Sequence, residues 1–343
     1  MKALNLYGIG DLRYDEVPAP IRKEDEVLLQ VKACGICGSD LPRVYEKGTY
    51  HFPTIIGHEF SGEIVEAENS ALLGRGAAVF PLLPCGQCEA CQDGHYAQCG
   101  HYDYYGSRRD GAMSEYIAVK RANLVLMPPG VSYREAAMAE PAAVARHAFR
   151  KTQTGAGDTL VIFGAGPIGL ILAGWAREAG VEKIILVARN QARVDFAQAL
   201  GFLYTINAAE TSVLTYVQQM THGEGPAACI EGTGSAAALE QCLLCTKNFG
   251  RVITLGNPAG GMALSQQTYW TILRKELSVL GTWNSSFNAR ENDWEEAMKA
   301  MAGKVLDLES LITHTFSLAD YKQAFSLMRE KKEPYCKVMF VNE

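Results

Sequence analysis

Polar and apolar residues alternate in part along Glu26–Ala33 and again along Phe60–Ala67, the period expected of strands with one buried face. Up to about residue 120, similar short segments are separated by glycine, proline and acidic turns, which predicts a β-rich domain. From Ser132 the spacing becomes helical. Ser132 is placed to cap a helix, and Glu135 completes a capping box. Ala136–Phe149 continues the pattern, with a break expected at Glu140-Pro141 because proline starts a fresh helix there. The wholly apolar run Thr159–Phe163 reads as a buried strand, Leu170–Glu178 as a helix, Lys183–Ala188 as a second strand and Ala192–Leu200 as a second helix. Ala227–Glu231, Gly250–Gly256 and Lys275–Gly281 extend the series, so a parallel sheet with helices on both faces is expected. Asp293–Ala302 and Ala319–Glu330 are then helical, and Cys336–Val341 is a last strand.

Composition narrows the setting. The 343 residues exceed the size at which a single core usually stops growing, so two domains are expected. A net charge of −6 without a basic run disfavours nucleic acid and a membrane surface as partners. The start of the chain shows no signal-like apolar core, and no apolar run is long enough to cross a bilayer, which points to the cytoplasm. In that reducing setting ten cysteines argue for metal ligands or buried thiols before disulfides.

Four of those cysteines, Cys85, Cys88, Cys91 and Cys99, crowd one loop. Four thiolates at this spacing can close a tetrahedral shell around zinc, and such a full shell orders a fold instead of catalysing a reaction. A disulfide knot and chance clustering are the competing readings. An iron–sulfur cluster uses similar runs, but Gly100 stands where a proline usually follows the last cysteine.

Gly164, Gly166 and Gly169, with Pro167 and Ile168 between them, follow a predicted strand and open a predicted helix. In that context Gly164 makes the tight turn, Gly166 lets the backbone approach a pyrophosphate, and Gly169 lets helix and strand pack closely. The second strand ends in Ala188 and Arg189, with Arg193 further on, where an NAD-binding chain normally carries a carboxylate for the ribose. An arginine beside a missing acid is suited to a 2′-phosphate, so NADP(H) is favoured over NAD(H). The alternative is that Arg189 is only solvated.

Cys37, His58, Glu59 and Glu140 each have a bland reading alone, as buried thiol, surface histidine or solvated acid. Together, however, Cys37-Gly38-Ser39-Asp40, Gly57-His58-Glu59, the four-cysteine loop, Glu140-Pro141 and the Gly164–Gly169 fingerprint resemble the zinc-dependent medium-chain dehydrogenase/reductase family over essentially the whole chain. Leu41-Pro42-Arg43, Pro81–Cys85 and Tyr105–Gly111 are most similar to its polyol dehydrogenase branch, and there to the type acting on polyol phosphates.

The resemblance implies an α/β chain with a GroES-like β-rich catalytic domain, residues 1–148 and 285–343, and a Rossmann dinucleotide-binding domain, residues 149–284. It implies two zinc ions, one held by the four-cysteine loop and one catalytic. The catalytic ion would be bound by Cys37 and His58, with Glu140 a direct or exchangeable ligand and Glu59 beside the metal as a further ligand, directly or through water. Hydride would pass between a secondary alcohol and a nicotinamide, with Ser39 the first member of a proton relay. Many family members carry a proton-relaying histidine where this chain has Pro42, so the relay must run otherwise. A threonine or simple secondary-alcohol dehydrogenase is the rival enzyme, and a non-catalytic cofactor-binding zinc protein the rival from another class. Arg43, Arg108 and Arg109 are candidates for a substrate phosphate, or else partners of Asp40, Asp103 and Asp110. Trp283 and Asn284 line the pocket or pack in the core, and Cys34, Cys242, Cys245, His95, His101 and His147 are read as packing residues. Self-association, as dimer or tetramer, is expected through the last parallel strand near Lys275–Gly281.

Overall fold

A computed structural model describes residues 1–258 and 260–342. The chain divides into two compact units, one of Met1–Ala143 with Ser286–Glu343, the other of Val144–Ser285. The first division falls inside the helix Ala139–Thr152, earlier than the expected position after residue 148.

In the first unit the strands Asp11–Glu16, Lys2–Gly8 and Thr54–Ile55 form a small sheet. A larger, seven-stranded sheet runs in the order Leu124–Leu126, Gly76–Val79, Glu59–Glu66, Glu26–Gly35, Lys337–Val341 and Ile312–Phe316, with Tyr116–Lys120 also paired to Glu26–Gly35. Glu26–Gly35 and Glu59–Glu66 are antiparallel, the pairing in which half-alternating strands commonly bury one face, and they place Gly35 opposite Glu59. The strand Lys337–Val341 lies antiparallel to Glu26–Gly35, so the end of the chain completes the sheet begun at its start. Leu29, Val31, Ile64, Val79, Val338 and Phe340 build its core.

The second unit is a six-stranded sheet in the order Tyr204–Asn207, Lys183–Ala188, Thr159–Phe163, Ala228–Glu231, Arg251–Thr254 and Ser278–Gly281, every neighbouring pair parallel. The central strands are buried along almost their whole length, which is why their sequences are continuous apolar runs. Strand order reverses beside Thr159–Phe163, the place where such sheets bind ligands.

Local signals hold at several points. Ser132 caps Tyr133–Ala137, and its reciprocal bonds with Glu135 close the capping box. The expected break at Glu140-Pro141 instead comes at Met138, and the next helix starts at Ala139. Pro141 thus stands in a first turn, where its missing N–H costs no bond. The helix expected from Leu170 begins earlier, with Pro167 at its first position and Gly166 as cap. Among the described residues, no helix is long and apolar enough to cross a membrane.

Candidate active site

The sulfurs of Cys85, Cys88, Cys91 and Cys99 all lie within 4.8 Å of one another. The Cys85–Cys91 and Cys88–Cys91 separations are 3.9 and 3.5 Å, and sulfurs ~2.3 Å from a tetrahedral centre stand roughly 3.8 Å apart. The donor set therefore fits a zinc ion without rearrangement. The amides of Cys85 and His101 donate to Cys99 Sγ, each at 3.4 Å. Backbone N–H groups of Gln87 and Cys88 hold the Cys85 thiol down to about 6, so it is close to thiolate without any cation. Asn288 Nδ2 donates to the Gly94 carbonyl at 3.1 Å and ties the loop to the returning chain.

The second cluster is assembled from distant segments. Cys37 follows the strand Glu26–Gly35, and His58 immediately precedes the strand that Glu59 opens, Glu59–Glu66, so the antiparallel pairing brings them together. Donor atoms of Cys37, His58 and Glu59 lie within 4.8 Å of one another. His58 and Glu59 are only 3% and 2% exposed, and Asp40 is fully buried behind them. Asp40 Oδ2 accepts the Cys37 amide at 2.9 Å, while Oδ1 stands 3.6 Å from His58 Nδ1. Gly57 adopts φ +99°, and a side chain there would press on Met113 and Cys34, so the turn presenting His58 requires glycine.

Glu140 lies outside that tight cluster, yet near enough to influence it. The Tyr104 hydroxyl donates to Glu140 Oε1 at 3.4 Å, and the Tyr104 ring packs against His58 at 5.8 Å between centroids. Burial lifts the Glu140 carboxyl to about 7 and the Cys37 thiol to about 12, with the charges of Glu59 and Asp40 pushing the thiol further in the same direction.

Two cations balance part of this negative charge. Arg43 Nη1 donates to Asp40 Oδ1 at 2.8 Å and to Ser39 Oγ at 3.0 Å, and stands 3.4 Å from His58 Nδ1. Lys337, 3% exposed, pairs through Nζ with Glu59 Oε2. A Cβ on Gly35 would collide with both partners of that pair. With Asp40 matched by Arg43 and Glu59 by Lys337, Cys37 and Glu140 are two acidic groups without a matching cation among the described residues. A divalent ion fits that remainder, because it favours their ionised forms and offsets the cost of burying them.

The three arginines considered for a substrate phosphate do not converge. Arg43 is inside the cluster just described, and Arg109 Nε donates to Asp103 Oδ2 at 2.7 Å. Arg108 stacks on the rings of Tyr50 and Tyr102. Trp283 is 59% exposed and so is not a core residue, and His95 and His101 are exposed as well, whereas Cys34, Cys242 and Cys245 are buried. Tyr104 and Lys337 escape a reading of the sequence. The one available signal for Lys337 is a lysine within the apolar run Lys337–Val341.

In the second unit, Gly164 has φ +113°, and its amide donates to the Val187 carbonyl at 2.8 Å. A Cβ on Gly169 would overlap the Gly164 carbonyl, so close packing of helix on strand requires glycine here too. Above Gly166 the space a side chain would take is open apart from Arg193 Nη1, which itself donates to the Ala165 carbonyl at 3.1 Å. The cradle fits a pyrophosphate at the start of Pro167–Glu178, a twelve-residue helix. Arg189 is exposed, and Ala188 brings no carboxylate to the strand end.

Comparison with known proteins agrees with both halves of this picture. Residues 23–129 match the alcohol dehydrogenase GroES-like domain, and residues 167–303 match the zinc-binding dehydrogenase domain. Galactitol 1-phosphate 5-dehydrogenase of Escherichia coli is 34% identical over 321 residues, 92% of each chain. A sorbitol dehydrogenase of Halalkalibacterium halodurans is 33% identical over 344 residues, 96% of each. The crystal structure of galactitol-1-phosphate dehydrogenase from Escherichia coli superposes with a TM-score of 0.93 at 32% identity, covering both chains completely. The chain is therefore an enzyme that belongs to the zinc-dependent medium-chain dehydrogenase/reductase family, in its polyol dehydrogenase branch.

Proposed function

We propose that this chain interconverts a secondary alcohol of a polyol or polyol phosphate and the corresponding ketose, using NADP(H) in preference to NAD(H) and two zinc ions. The observation that carries the reading is the meeting of half-buried Cys37 with buried His58 and Glu59, backed by Asp40 and Lys337. Those three residues would hold the catalytic zinc, and Cys85, Cys88, Cys91 and Cys99 the structural one. Glu140 lies within influence of the same centre and would be an exchangeable ligand. When bound, zinc supplies a Lewis acid that eases loss of the alcohol proton, and the nicotinamide supplies hydride chemistry.

The remaining work belongs to the chain. Asp40 faces His58 Nδ1, which leaves Nε2 as the ring nitrogen for a metal. Lys337 holds one oxygen of Glu59 and fixes the orientation of the other. Tyr104 does the same for Glu140. Ser39 Oγ accepts from Arg43 and so keeps its own hydrogen free to pass outward, the first step of a relay that Pro42 cannot carry. Gly164–Gly169 would seat the pyrophosphate. Arg189 with Arg193 would meet a 2′-phosphate, which favours NADP(H).

The same reading includes self-association, in a cytoplasmic setting where a reducing environment keeps cysteines out of disulfides. Ser278–Gly281 is a sheet edge with Val279 43% exposed, and the neighbouring helix Gln266–Arg274 exposes Tyr269, Trp270 and Leu273. A second copy of the chain would extend that edge and cover these side chains. The test is a screen of sugar alcohols, their phosphates, threonine and simple alcohols against both cofactors, with zinc and molecular mass measured on the same sample. Two zinc ions per chain, a multiple of the chain mass and turnover of polyols with NADP are expected. Turnover of threonine alone, or better turnover with NAD, overturns the substrate or the cofactor assignment respectively.

A further inference from the structure

Arg108 differs from the other two arginines near the cluster. Arg43 is neutralised by Asp40 and Arg109 by Asp103. Among the described residues, no carboxylate pairs with Arg108, and its guanidinium donates one hydrogen bond, from Nη2 to the Tyr50 hydroxyl at 3.2 Å. The rings of Tyr50 and Tyr102 hold the guanidinium carbon at 4.3 and 4.4 Å from their centroids. Two aromatic faces on one guanidinium fix its plane and keep its charge without cancelling it. The backbone reinforces this clamp, because the Tyr50 amide donates to the Ser107 carbonyl at 3.2 Å and the Arg108 amide to the Tyr104 carbonyl at 3.0 Å.

The clamp is continuous with the reacting centre. Tyr102 touches the Tyr104 ring at 6.3 Å, and Tyr104 touches the His58 ring at 5.8 Å. A polyol phosphate held by a secondary alcohol at the donor cluster and extended along these rings would carry its phosphate toward Arg108. An oriented fork of unused N–H donors, with no carboxylate in the way, matches a phosphate monoester and gains nothing from a hydroxymethyl group. We infer that Arg108, clamped by Tyr50 and Tyr102, is the residue that selects a polyol phosphate over the free polyol, and that Arg43 and Arg109 serve the architecture. This rests on the polyol dehydrogenase reading above.

The experiment compares kcat/KM for a hexitol phosphate and the corresponding hexitol in the zinc-loaded wild type and in Arg108→Leu, Arg108→Lys and Arg109→Gln. Expected is a wild-type preference for the phosphate that Arg108→Leu lowers by about ten- to a hundredfold, mainly through KM, with the free hexitol changed less than about twofold. Arg108→Lys keeps the charge but loses the fork and the stack, and falls between. Arg109→Gln keeps the preference. Inorganic phosphate should compete with the phosphate ester in the wild type and lose potency in Arg108→Leu. Equal losses on both substrates, an unaltered preference in Arg108→Leu, or loss of the preference in Arg109→Gln overturns the inference. A wild type that oxidises hexitols without preferring the phosphate overturns Arg108 alone and leaves the dehydrogenase reading standing. Oxidation of neither substrate brings down that reading, and the role of Arg108 with it.

Discussion

The four-cysteine loop and the Cys37–His58–Glu59 cluster both gather soft or acidic donors within 4.8 Å, yet they are built on opposite plans. The loop draws four identical ligands from fifteen consecutive residues and steadies its sulfurs with backbone amides. The cluster draws three kinds of donor from the ends of two paired strands, and surrounds them with protein countercharges, Asp40 with Arg43 and Glu59 with Lys337. A site whose charges are all of one sign and whose backbone is local depends on its metal for order. A site whose charges are mostly matched by protein keeps its shape, and its residual charge is what a metal and a reacting alcohol can use.

The widest separation between the two should come from Cys37→Ser. Turnover is expected to fall at least about a thousandfold, one of two zinc ions to be lost, and the melting temperature to stay near that of the wild type. A variant that loses activity by unfolding would erase the contrast. Lys337→Met tests the countercharge. Leaving the buried Glu59 carboxylate unpaired should cost about 3–5 kcal/mol in denaturant unfolding, and Lys337→Met with Glu59→Gln should recover most of it. No recovery would mean that Lys337 stabilises by packing instead of charge.

Cys88→Ser approaches from the other side. It should lower stability by about 3 kcal/mol or more, or weaken assembly, while chemistry in the surviving folded fraction continues. A folded, equally stable but inactive variant contradicts the division of labour. The smallest effect is expected of Glu140→Gln in chelator-treated protein. Burial raises the folded-state pKa of Glu140 from an unfolded value near 4.5 to about 7, so its contribution to stability is complete below 4.5 and lost as pH rises through 7. The wild type should therefore lose stability across that window more steeply than the variant does. Parallel pH profiles would show that the Glu140 proton is not linked to folding.

Much of this was legible wherever the cause is local. Ser132 and Glu135 cap each other across three residues, Gly164–Gly169 folds on itself, and the four cysteines need only one loop. The same locality explains the misplaced helix break, because Pro141 fits either a break or a first turn and only the backbone decides. The partners of Glu59 and Glu140 were not legible. Lys337 is 278 residues from Glu59, Tyr104 is 36 from Glu140, and neither has a spacing that announces it. The three arginines show the same limit. Their chemistry is identical in sequence, and only the positions of Asp40, Asp103, Tyr50 and Tyr102 distinguish them.

The strand Lys337–Val341 enters the sheet between Glu26–Gly35 and Ile312–Phe316, and it brings the countercharge of Glu59 with it. During synthesis Glu59 therefore leaves the ribosome 278 residues before its partner, a wait of roughly a quarter-minute to a minute at ordinary elongation rates. Throughout that wait the Ala33–Gly35 end of the strand lacks its neighbour on one side, although Tyr116–Lys120 already covers Glu26–Gln30. The seven-stranded sheet begun at Glu26 is thus among the last to close, and a nascent chain is open to metal and to misassembly until residue 337 arrives.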